Sequence, residues 1–139
     1  MKRIWSAVLL SLALAACESP TSWGKDLVIE PRPAQTAADS ATVEGASGGM
    51  VVQGVYRAPG AGYTLRAWYD FVGGDVTVYV EGNPPADGGV GPAPTGSGYR
   101  ISIPFAPGTY TVRVVHQDKG DGAPAPRDVA TSEITITYN

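Results

Sequence analysis

Tyr63-Thr64-Leu65-Arg66-Ala67-Trp68-Tyr69-Asp70-Phe71-Val72-Gly73-Gly74-Asp75-Val76-Thr77-Val78-Tyr79-Val80-Glu81 decides the fold. Tyr63, Leu65, Ala67 and Tyr69 fall on one side of an extended chain, opposite Thr64, Arg66, Trp68 and Asp70; Val76, Val78 and Val80 oppose Thr77, Tyr79 and Glu81 in the same way. A period of two marks a strand with one buried face. Between the runs, Gly73-Gly74 accepts positive φ without a Cβ penalty, as a tight hairpin turn requires. The two runs are therefore expected to pair.

Outward from this hairpin the alternation recurs over residues 50–57, 99–105, 109–117 and 129–138. Tyr99, Ile101, Ile103 and Phe105 share one face, as do Ile134, Ile136 and Tyr138. Eighteen glycines and 12 prolines in 139 residues disfavour long helices. Asp26-Leu27-Val28-Ile29-Glu30 adds a candidate short first strand or an apolar spot in a linker. An alternating sheet buries its apolar face only against another layer, so the expected fold is an all-β antiparallel sandwich of about seven strands.

Pro107-Gly108-Thr109-Tyr110-Thr111-Val112 resembles the E–F corner and strand F of fibronectin type III and related immunoglobulin-like domains. The resemblance implies an immunoglobulin-like sandwich in which the Tyr110 hydroxyl ties down the corner. The Cys-Trp-Cys core of antibody domains is absent. A transthyretin-like or carbohydrate-module sandwich would give a similar pattern.

The amino terminus has a different character. Lys2 and Arg3 precede an apolar run over residues 4–16 broken only by Ser6 and Ser11, too short for a stable transmembrane helix and of the length of a secretory signal. Leu14-Ala15-Ala16-Cys17 resembles the lipobox of bacterial lipoproteins. That resemblance implies cleavage before Cys17, a diacylglycerol thioether on its sulfur and extracytoplasmic membrane anchoring. Two acyl chains suffice for stable anchoring, at roughly 0.8 kcal/mol per buried methylene. Glu18 stands where Asp commonly retains such lipoproteins in the inner membrane, which favours the outer membrane if the source has one. The organisation read from these features is a signal peptide over residues 1–16, a tether over 17–42 and a sandwich over 43–139.

Without Lys2 and Arg3, eight of the 10 basic side chains remain against 13 acidic ones, a net charge near −5. An acidic chain without a basic face is not expected to bind nucleic acid. Cys17 is the only cysteine, so no disulfide supports the fold. His116 is the only histidine, which excludes a multi-histidine metal site, and its parity with Val112 and Val114 points it into the core as a hydrogen-bonded strand-end residue. Asp118-Lys119-Gly120-Asp121-Gly122 lacks the alternating ligand pattern of a calcium loop. No cofactor, metal or catalytic activity is expected.

Strand parity gathers the connections at residues 59–62, 83–98 and 118–128 at one pole, where loops of such folds bind partners. The glycine-rich part of the second, residues 88–96, reads either as a functional loop or as a low-complexity insertion. Parity also starts the first strand at this pole and so brings the tether there. Two antiparallel strands before residue 50 would reverse that assignment. Trp68 and Tyr79, facing away from their strands' apolar rows, form a candidate binding surface for a glycan or protein, with Arg66 placed to pack over Trp68. The expected role is a non-catalytic binding or structural module of the bacterial envelope, with an envelope protein as the candidate partner; the alternative is a carbohydrate-binding or enzyme-accessory module.

Overall fold

The Gly73-Gly74 turn joins two strands in register, with Trp68 opposite Tyr79 and Ala67 opposite Val80, and its two glycines take φ of 58° and 95°. A computed structural model describes residues 26–86, 94–120 and 122–138 of the chain. The signal segment, Cys17 and residues 87–93 lie outside the described residues. In chain order the strands are β1 (Glu30–Arg32), β2 (Ser40–Ala46), β3 (Gly49–Ala58), β4 (Thr64–Val72), β5 (Asp75–Asn83), β6 (Thr95–Pro104), β7 (Gly108–Asp118) and β8 (Arg127–Ile136). They form two four-stranded sheets, ordered β1-β6-β3-β2 and β4-β5-β7-β8, and there is no helix among the described residues.

Alternation decides which side chains fill the space between the sheets. Met50, Val52, Tyr56, Tyr99, Ile101 and Ile103 from the first sheet meet Ala67, Val76, Val78, Val80, Val112, Val114, Ile134 and Ile136 from the second. Tyr63, Leu65, Tyr69 and Phe105 pack against the margins of that core. Tyr138, by contrast, is 83% exposed. It lies beyond the end of β8, where the facing sheet no longer covers it.

The all-β sandwich expected from the alternation forms, with eight strands, and one pair departs from the antiparallel pattern: β5 and β7 pair in parallel, Val78 beside Val114 and Val80 beside His116. Because β5 rather than β4 borders β7, the hairpin lies in the sheet with its second strand inward, and the next chain passage in that sheet runs the same way. The tether assignment also reverses. β1 is antiparallel to β6, β6 to β3 and β3 to β2, so β1 and β2 run in opposite senses. The first strand thus runs toward the pole of the three anticipated loops instead of starting there.

Both open sides of the sandwich are stitched. Leu27 donates its amide to the Ala67 carbonyl of β4 at 2.8 Å before the chain joins β6 as β1, so one short segment spans the two sheets. On the other side the Gly48 amide reaches the Thr137 carbonyl at 3.0 Å, and Gly45 of β2 lies so close to the Thr135 carbonyl that a Cβ would collide with it. These contacts occupy edge-strand groups that would otherwise template pairing with another chain.

Gly82 is a second position where the missing side chain matters. It faces the core from β5, and a Cβ there would overlap the Tyr56 ring and hydroxyl. Gly82→Ala should lower the unfolding free energy by about 1–3 kcal/mol through overpacking. Urea unfolding checks this, and an unchanged midpoint would place Tyr56 elsewhere.

Candidate functional site

The long connections do gather at one pole: 59–63 between β3 and β4, the β5–β6 connection, and 119–126 between β7 and β8, joined there by residues 33–39 between β1 and β2. The Thr95 hydroxyl bonds the Gly60 carbonyl at 3.0 Å, and the Lys119 amide bonds the Gly82 carbonyl at 2.9 Å. Asp39, Arg57, Pro59, Pro94, Asp118, Pro124 and Arg127 line a cleft of about 400 Å³ in this pole.

Beneath the cleft lies a polar network built around His116. Its side chain has no exposed surface, as its inward parity on β7 predicts. Asp39 Oδ1 lies 2.8 Å from Nδ1 and the Tyr99 hydroxyl lies 2.7 Å from Nε2. With Asp39 ionised, Nδ1–H donates to the carboxylate and Nε2 accepts from the Tyr99 hydroxyl, which satisfies a neutral ring at both nitrogens. Arg127 Nε donates to Asp39 Oδ2 at 2.6 Å, the Arg57 amide donates to Oδ1 at 2.9 Å, and Arg127 Nη1 reaches Asp118 at 3.4 Å. The Tyr56 hydroxyl donates to Asp118. No buried side-chain nitrogen or oxygen among the described residues lacks a partner.

Burial sets the ionisation of the network. It is the main influence on His116 and pushes the imidazole below its ordinary value, against the opposing pull of Asp39. Burial also acts to raise Asp39, but hydrogen bonds from Arg127, His116 and the Arg57 amide outweigh it and hold the carboxyl low. Tyr99 is raised by burial and then by the Asp39 charge, and Tyr56 by burial and then by its bond to Asp118. Asp39, His116 and Tyr99 have the carboxylate–imidazole–hydroxyl order of a proton relay. The Tyr99 side chain, however, has no accessible surface for a substrate to reach. The arrangement works as a clamp: it joins the β1–β2 connection to β3, β6, β7 and β8.

Nothing in the sequence pattern marks Asp39, Tyr56, Asp118 and Arg127 as members of the network around His116. Its inward parity demanded a polar partner, but Asp39 sits in an Ala- and Ser-rich stretch with no periodicity to mark it. Asp118, weighed as a calcium ligand, instead binds Tyr56 and Arg127.

The other candidate surface lies on the outer face of the β4-β5-β7-β8 sheet. Trp68 and Tyr79 are direct cross-strand partners whose rings stack with centroids 5.4 Å apart and planes 16° from parallel. The Arg66 guanidinium lies 5.3 Å from the Trp68 ring centre and is itself bound to Asp26 at 2.7 Å. Burial and then Asp70 raise the Tyr79 hydroxyl. Val115, the parallel neighbour of Tyr79, continues the row and is almost fully covered. One face of each ring is turned to the other, so those two faces are closed to a ligand. Cys17 lies outside the described residues.

The chain matches no protein-family model, no curated protein and no solved structure.

Removing the Asp39 carboxylate leaves Arg127 and His116 facing an empty position. Asp39→Ala should therefore cost about 2–3 kcal/mol by urea unfolding; a loss within 0.5 kcal/mol of zero, the usual range of a surface substitution, would contradict the clamp. Acid should act in two stages. His116 is held below its ordinary value of 6.5, so the unfolded chain takes up that proton first and stability declines as the pH falls through that value. Asp39, also held low, adds a further loss as the pH drops below its ordinary 3.8. Urea midpoints against pH should show the first decline in the native protein and not in His116→Gln.

Proposed function

We propose that the protein is a lipid-anchored, extracytoplasmic module of the bacterial envelope, held by Cys17 and acting through binding or structural contacts rather than catalysis. The carrying observation is the joining of two features in one chain: the basic, apolar and Leu14-Ala15-Ala16-Cys17 succession, followed by a β-sandwich whose long connections and charged cleft share one pole. Such a pole suits partner contact, because a stitched two-sheet scaffold positions the loops while the anchor confines them to a surface. An immunoglobulin-like relationship is supported by the corner before β7, where the Tyr110 hydroxyl bonds the Ala106 carbonyl at 2.9 Å. The parallel β5–β7 pair departs from that pattern.

Acyl labelling and membrane fractionation test the anchor. Cys17→Ser should abolish lipid incorporation and leave the precursor unprocessed or mislocalised; unchanged labelling and retention would overturn the anchoring. Crosslinking in cells followed by pulldown from the membrane fraction should recover an envelope protein as partner. The stacked Trp68–Tyr79 pair favours one second reading, a carbohydrate-binding or accessory module. That reading expects glycan binding that disappears in Trp68→Ala while the fold persists, and absence of glycan binding in the native protein would remove it.

A further inference from the structure

The two poles of the sandwich differ in chemistry. At the loop pole stand Asp39, Arg57, Asp118, Lys119, Arg127 and Asp128. The opposite pole consists of the turn at 47–48, the β4–β5 turn, residues 105–107 and the segment after β8. Among the described residues of those connections none is charged, and Asp75 at the start of β5 is the nearest acid. Among the described residues, three of the four large apolar side chains that stand exposed are here: Phe71 at 42%, Val72 at 66% and Tyr138 at 83%. Phe71 also belongs to an edge-to-face group with Phe105 and Tyr110, at 5.1 and 5.8 Å between ring centres, so its ring is fixed at the end of the core with part of its surface exposed. An uncharged turn bearing Val and Phe tips, with Tyr138 at the same pole on the far edge of the sheet, matches the composition that settles at the headgroup boundary of a bilayer.

Chain direction selects the occupant. β1 runs toward the loop pole, so the chain approaches it from the side of the aromatic pole. Leu27 is tied to Ala67, five residues from Val72 along β4, or about 17 Å. Nine peptide units separate Cys17 from Asp26 and reach at most about 30 Å. An acylated Cys17 is thus within range of the plane of the aromatic tips.

We propose that the aromatic pole faces the bilayer, with Phe71, Val72 and Tyr138 seated among the headgroups of the membrane that holds Cys17, so that the charged cleft points away from it. This orientation rests on the lipid-anchoring reading.

The test uses the full-length lipidated protein in vesicles of phosphatidylethanolamine and phosphatidylglycerol carrying nitroxide-labelled lipid. With Cys17 acylated, a cysteine placed by Val72→Cys or by Lys119→Cys is the sole free thiol for a fluorophore. Quenching should be at least about threefold stronger at 72 than at 119, as expected when one tip lies at the acyl boundary and the other stands beyond it. In a Phe71→Ser variant with the fluorophore at 72, that difference should shrink. Equal or inverted quenching on vesicles that carry the protein by flotation would overturn the orientation and leave the anchor standing. Failure of the native protein to float would remove both. Shielding of position 72 in a dimer without vesicles would assign the pole to a second copy of the chain and overturn the proposal.

Discussion

Asp39 stands where five parts of the chain meet: its own connection between β1 and β2, the Arg57 amide at the end of β3, His116 on β7, Arg127 at the start of β8 and, through His116, Tyr99 on β6. Both carboxylate oxygens are engaged, and the charge is compensated by Arg127 while the imidazole stays neutral. In a sandwich without disulfides, hydrophobic burial holds the layers together but does not by itself select how their ends are joined. A buried, fully partnered polar network does discriminate, because any misplacement leaves charged or polar atoms without partners.

The same network explains the otherwise odd chemistry of the second sheet's core. His116 would be a costly neighbour for Val80 and Val114 if its ring nitrogens were unpaired. Tyr99 from the facing sheet and Asp39 from the connection satisfy both, and Gly82 makes room for Tyr56 to reach Asp118 from the same side. A glycine in a strand interior weakens the strand locally, but here it admits a large ring whose hydroxyl completes the clamp.

What was legible in the residues was local. The Gly73-Gly74 turn, the inward rows of β4 and β5, the burial of His116 and the Tyr110 corner all follow from alternation and from glycine or tyrosine at defined offsets. Strand order was not, because alternation states which face is buried and not which strand lies beside it; β5 rather than β4 borders β7, and the two run parallel. Asp39 was hidden for a related reason. A polar residue whose partners are distant by up to 88 positions leaves no periodic trace in a stretch of alanine and serine.

The direction of β1 shows how one such non-local fact changes the functional picture. Its pairing with β6 runs the segment from Leu27 to Arg32 toward the loop pole, and Leu27 ties the start of that segment to β4 at Ala67. The poles then divide the surface by chemistry: charges that need water or a polar partner lie at one end, and Phe71 and Val72, which gain by leaving water, lie at the other. An acidic chain, of net charge −3 over its full sequence, is repelled by an anionic leaflet, most strongly where its carboxylates come within a Debye length of the surface. On the proposed anchoring, an uncharged apolar tip toward the membrane would lower that repulsion, and the stitched seams would let the sandwich act as a spacer between that tip and the charged cleft.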